Sequence, residues 1–316
     1  MMFSSLLGRI RTGLRVAKAS FGVLRREYWL LVFPVLYGLA WLAGAIGLVA
    51  GIFVALFGAS YGLAAVDQVA AVSEGQAETT VTALLVAASV LFMFVATAIA
   101  TFFSAALVHS VGSLFAGEST SLRDGLAGAW EAKRTILAWG AVGAAVGLVF
   151  RALESREGTA AQLARSVAGF AWFAMTFFIV LVIVFQDGGV RESMRNSVGL
   201  FRDTWGEAGG TTLGIGLVIL PLAALVGGLG IGLPLFALEA PWAVLQYTLV
   251  PTLLAIGALL VVHNAATAVA KTALYEYATD GELPPEFDGI DPGQLVTRKR
   301  SGSSMTGSTG REPGQI

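Results

Sequence analysis

Six uncharged apolar runs decide what this chain can become. They cover about 28–57, 80–108, 135–150, 166–185, 211–233 and 242–262, and the last continues as a helical pattern to 275. A backbone in hydrocarbon has no water to bond with, so it must satisfy its own donors and acceptors, as a helix does. A run of about 20 apolar residues crosses the roughly 30 Å hydrocarbon core. Composition agrees: 13% of residues are charged, against about 25% in soluble domains. The expected fold is all-α and polytopic, with about six transmembrane helices, basic amphipathic interfacial helices, and the pattern of a threefold helix-hairpin repeat. Residues 1–27 form the first interfacial helix, 28–275 the membrane domain, and 276–316 a cytoplasmic tail, disordered beyond about 291.

The shortest run, 135–150, barely reaches across at 1.5 Å per residue. Its flanking Arg134 and Arg151 must snorkel, or the bilayer must thin. Pro251 sits inside the last run and is expected to kink it, and Pro221 lies in the run before. The second half of the last run changes character. His263, Thr267 and Lys271 recur at i, i+4, i+8 with Asn264 beside them, making a polar stripe on an Ala/Val surface. In one reading the stripe lines a polar cavity or ion path. In the other the helix leaves the membrane, Lys271 snorkels, and Asn264 and Thr267 bind helices together. The second is favoured because the polar residues lie at one end of the run. Thr97, Thr101 and Ser104 share a face in the second run, where hydroxyls commonly bond their own i−4 carbonyl.

The chain then reads AVAKTALYEYATDGELPPEFDG, residues 268–289. Asp280-Gly281 and Pro284-Pro285 stop the helix, and Tyr275 and Tyr277 suit the headgroup level. This segment, closing a multi-span chain, resembles the C-terminal signature of an uncharacterised integral membrane family of halophilic archaea. The resemblance implies about six helices and supplies no catalytic residues.

Two segments carry basic residues at amphipathic spacing. Arg9, Arg11, Arg15, Lys18, Arg25 and Arg26 alternate with Leu6, Leu7, Ile10, Leu14, Ala17, Phe21 and Leu24. Arg191, Arg195 and Arg202 alternate with Val190, Met194, Val198 and Phe201. Such helices are expected in the interface beside anionic headgroups. Between the second and third runs, Ser121 and Asp124 have the spacing of a capping box that opens a short helix to about Lys133.

With the N-terminus inside, inner segments carry seventeen basic residues and outer loops three (Arg151, Arg156, Arg165). The positive-inside rule therefore places both termini in the cytoplasm of a multi-pass cell-membrane protein. Each basic helix precedes two runs, which gives three units over 1–108, 117–187 and 189–275.

Net charge is −1, so no global field argues for nucleic acid. There are no cysteines. The two histidines, His109 and His263, lie on different runs without a carboxylate motif, a poor zinc site. No phosphate-loop, dinucleotide or HExxH pattern occurs. No cofactor and no enzyme activity are expected. The leading expectation is a protein that organises or senses the membrane or scaffolds a membrane partner, touching the bilayer and its anionic headgroups. The alternative is a transporter, or a subunit of one, with a path between runs two and six. A membrane-embedded lipid enzyme stands third.

Overall fold

The computed structural model describes residues 2–65, 74–155, 157–186, 188–203, 205–237, 242–288 and 290. The acidic loop around Asp67 and the Gly/Ser-rich tail lie outside them. Helix α1 is Met2–Arg26, α2 Val32–Ala65, α3 Glu74–Phe115, α4 Leu122–Glu131, α5 Lys133–Glu154, α6 Thr159–Thr176, α7 Ile179–Phe185, α8 Val190–Asp203, α9 Trp205–Gly227 and α10 Trp242–Asp280. A 3-10 turn, Tyr28–Leu31, joins α1 to α2, a π-helical stretch, Gly228–Ala237, extends α9, and a second 3-10 turn, Pro285–Phe287, follows α10. Among the described residues no strand occurs, and six helical segments are long and apolar enough to cross a membrane. The chain is thus an all-α, multi-pass membrane protein.

Several helices outrun their apolar sequence. α3 begins at Glu74 and α10 runs to Asp280 as one helix through Pro251. The short third run lies inside a helix of 22 residues, because Lys133, Arg134, Arg151 and Glu154 all stay helical. The fourth run is two helices, α6 and α7, with a break at Phe177–Phe178.

Glycines set the close helix crossings. A methyl on Gly143 of α5 would come 2.8 Å from the Thr97 side chain of α3, and one on Gly140 would come 3.1 Å from the Phe94 carbonyl. Such contacts let backbones approach in the absence of a hydrophobic drive between helices. The short α4 folds onto α3 in the same way. A Cβ on Gly128 would fall into the His109 ring, and one on Gly125 would come 2.7 Å from the Phe33 ring. The capping box that starts α4 is complete: Ser121 and Asp124 bond each other's backbone.

The core gathers at one end of the bundle. It joins Leu30 and Phe33, Ala105, Ala106 and Val111 of α3, Ala129 of α4, Ile136 of α5, Ile183 of α7, Ile215 of α9, and Ala265, Ala266, Val269 and Ala273 of α10. At the opposite end, large apolar side chains face outward: Val49, Phe53, Leu163, Tyr247 and Leu254 are all more than half exposed.

Part of the apolar face of α1 packs on protein. Val16, Ala17, Val23 and Leu24 are buried against the core, and the helix packs on α9 and α10. Leu14 of the same helix is 41% exposed and remains open to lipid. Its basic face, with Arg15, Lys18, Arg25 and Arg26, remains exposed. The side chains of Arg9 and Arg11 lie outside the described set.

The C-terminal segment works as a latch. Gly281 takes φ +85°, and its N–H bonds the Tyr277 carbonyl at 3.0 Å, an αL helix stop. The chain then turns back, so that Phe287, 1% exposed, meets Phe115 edge-on with centroids 6.0 Å apart. The end of α3 has a similar stop, with Gly117 at φ +77° and its N–H on Leu114.

Candidate functional site

The most polar interior region forms where α10 meets the break between α6 and α7. A broken helix leaves backbone groups without partners. Ser197 of α8, fully buried, supplies them: its hydroxyl donates to the Met175 carbonyl at 2.7 Å and accepts from the Phe178 N–H at 3.3 Å. Ser193, one turn earlier, is also buried, and its hydroxyl has no hydrogen-bond partner among the described residues. α8 is therefore stitched along the broken span. Phe201 joins Phe173 and Phe177 in an aromatic cluster, with centroids 5.8 and 5.5 Å away. Arg191, Arg195 and Arg202 stay exposed on the outer side of α8.

Lys271 reaches into this junction. Its Nζ stands 4.2 Å from the centre of the Phe177 ring. Cations are attracted to aromatic faces by about 0.5–2 kcal/mol, depending on desolvation. Below it, Gln186 donates to the Tyr275 hydroxyl at 3.0 Å and accepts from Asn196 at 2.8 Å, tying α10, the end of α7 and α8 together. Phe185 stacks on Tyr275 at 5.4 Å. Tyr275, 6% exposed, thus turns into the protein instead of toward headgroups, because Gln186 satisfies its hydroxyl inside.

Thr267 and His263 continue the stripe up α10. Thr267 Oγ1 and His263 Nδ1 are buried without hydrogen-bond partners among the described residues. Asn264 points outward and is exposed. His109 Nδ1 is likewise unpartnered, and its ring is the surface on which Gly128 rests.

The other half of the polar stripe lies elsewhere. Thr97, Thr101 and Ser104 line a groove of about 870 Å³ between α3, α5, α6 and the start of α7, with Trp139, Gly143, Arg151, Glu154 and Trp172. Thr101 donates to the Thr97 carbonyl at 2.8 Å, the local back-bond expected of it. None of the groove's lining residues belongs to α10. The α3 hydroxyls and the α10 stripe face different spaces.

At the exposed rim, Ser121 is the group that matters for Asp124. Its hydroxyl and its backbone N–H hold the Asp124 carboxyl below the ordinary carboxylate range. Lys133 lies 4.7 Å from the centre of the exposed Trp130 ring.

The stitching side chains Ser197, Gln186 and Asn196 were not singled out from the sequence. Ser193 and Ser197, one turn apart on the apolar side of α8, are a signal that could have found the first of them. With the architecture and these junctions in view, one comparison decides kinship. Residues 82–284 match the family of unknown function DUF6159.

The chain belongs to DUF6159.

The DUF6159 match runs from α3 through α10 and ends at Pro284, inside the latch segment. It therefore includes the α6–α7 break, Ser197, Lys271 and Gly281, while α1 and α2 lie before it. Comparison with curated proteins gave no match.

Proposed function

We propose that this DUF6159 protein is a non-enzymatic organiser of the bilayer, which gathers anionic lipid around its basic end and offers that end as a scaffold. The observation that carries the reading is the placement of charge on α1 and α8. Part of each apolar face is buried in the protein (Val16, Ala17, Val23 and Leu24 of α1, Phe201 of α8), while Arg15, Lys18, Arg25, Arg26, Arg191, Arg195 and Arg202 are exposed. The basic groups are thus held at fixed positions by the protein. A basic side chain at an anionic surface contributes about 1 kcal/mol, so several acting together outweigh the mixing entropy of nearby lipid. The excess of basic residues on this side supports cytoplasmic N- and C-termini. The resemblance of residues 268–289 to a halophilic archaeal family supports a source of that kind.

The test reconstitutes the full chain in phosphatidylcholine vesicles containing a minority of phosphatidylglycerol. Spin-labelled versions of each lipid report the motionally restricted shell. Phosphatidylglycerol should be enriched at low salt, and the enrichment should shrink as salt rises, since screening at physiological ionic strength acts over about 8 Å. Replacing the four exposed basic residues of α1, or the three of α8, by Gln should remove part of it. Equal restriction of the two lipids at low salt would sink the proposal.

A further inference from the structure

The groove between α3, α5 and α6 has a different chemistry from the basic end. It is lined from Trp139 to Arg151 of α5, about 18 Å of helix at 1.5 Å per residue. Its volume of about 870 Å³ falls in the range of ligand sites. Trp139 and Trp172 stack across one end with centroids 5.3 Å apart and an 8° interplanar angle. Two of the four hydroxyls along the wall are already used: Thr101 bonds the Thr97 carbonyl at 2.8 Å and Thr176 bonds the Phe173 carbonyl at 3.2 Å, while Thr97 and Ser104 also line it. Most of the remaining wall presents methyls, methylenes and rings, which suit a hydrocarbon chain. At the far end of the groove stand the exposed side chains of Arg151 and Glu154, one helical turn apart.

We propose that this groove is a binding site for one phospholipid, with its phosphate at Arg151 and an acyl chain lying along Thr97, Gly143 and the Trp139–Trp172 pair. Arg151 fits a phosphate through charge and paired donors. Glu154 beside it suits a headgroup that also carries an ammonium. Lys133, at the other end of α5, marks the basic side, and Arg151 lies about 27 Å further along the helix. The site therefore faces the leaflet opposite α1 and α8. It also gives a role to Arg151 in the one far-side loop that carries basic residues, where the distribution of charge is otherwise one-sided. The inference uses neither the basic helices nor the α10 stripe, so it stands or falls separately from the proposed function.

The full chain is reconstituted in vesicles of phosphatidylcholine and phosphatidylglycerol, extracted into mild detergent and weighed by native mass spectrometry. One retained phospholipid per chain is expected. Arg151→Glu, on an exposed side chain, should cut retention about tenfold by opposing the phosphate. Ala100→Phe, which fills the groove wall, should displace the lipid. Arg123→Gln, on the exposed face of α4, should leave retention unchanged. Retention unaffected by Arg151→Glu overturns the site, as does equal retention of diacylglycerol, which lacks the phosphate. A groove occupied by a second copy of the chain would appear as a dimer mass that Ala100→Phe abolishes, with no lipid retained, and that outcome also overturns it.

Discussion

Ser197 does the work of two backbone partners with one hydroxyl. Replacing it by Ala leaves the Met175 carbonyl and the Phe178 N–H without that partner. The expected cost is about 1–3 kcal/mol, read as a lower thermal midpoint in detergent, while Ser166→Ala, on an exposed side chain, should change little. Asp124 gives a pH prediction whose sign is fixed. Its folded pKa lies below the ordinary value of 3.8, so its stabilising contribution is complete above that value and is lost as pH falls through the folded pKa. The protection factors of the α4 amides, corrected for the intrinsic pH dependence of exchange, should therefore hold from neutral pH down to about 4 and fall below it, and Asp124→Ala should abolish that acid step. The capping pair was legible at this scale because its two residues are neighbours in sequence. Tyr275 was misread because its partner Gln186 lies 89 positions away, and no local pattern encodes that pairing.

Among the elements, membrane helices were plain from hydropathy, since lipid allows a long apolar run few other forms. Their breaks and extensions were less plain. The α6–α7 break has no Pro or Gly; Thr176, the polar residue beside it, bonds the Phe173 carbonyl, and Ser197 stabilises the open turn from another helix. The same limit applies to α1 and α8. A basic amphipathic sequence says that one face seeks an apolar partner, but not whether the partner is lipid or protein. The α4–α3 contact is the element most open to a single change. Gly128→Leu would drive a side chain into the His109 ring. Overpacking of this kind costs about 1–3 kcal/mol or more. The expected readout is proteolysis between Gly117 and Lys133 with α5 still embedded, whereas Ala127→Leu, on the exposed side of α4, should be tolerated.

For the whole molecule, the decisive feature is the gathering of the core at the basic end. Small residues on α3 and α10, the plug of Phe287 and the face of α1 all meet there. Opposite it, the helices touch less and carry their large apolar side chains outward. The candidate sites divide along the same line. The stripe of α10 ends within the packed region, and the α3–α5–α6 groove runs toward the open end. Hydropathy predicted both polar stripes as helix faces. It could not say that they face apart, because the rotation of one helix about its neighbour depends on contacts such as Gly143 on Thr97.

The seam between α1 and the helices α9 and α10 joins the beginning of the chain to its end. A ribosome delivers these partners in the opposite order: α1 emerges first, and its protein surface comes last. Until α9 follows, the apolar stripe of α1 has only the lipid surface to cover it. A chain not yet extended to α9 is therefore expected to hold α1 at the membrane interface until that partner arrives. A chain ended after Asp203 should be arrested at that stage, with α1 open to protease at the membrane surface. In the complete chain, the same bonds should resist cleavage.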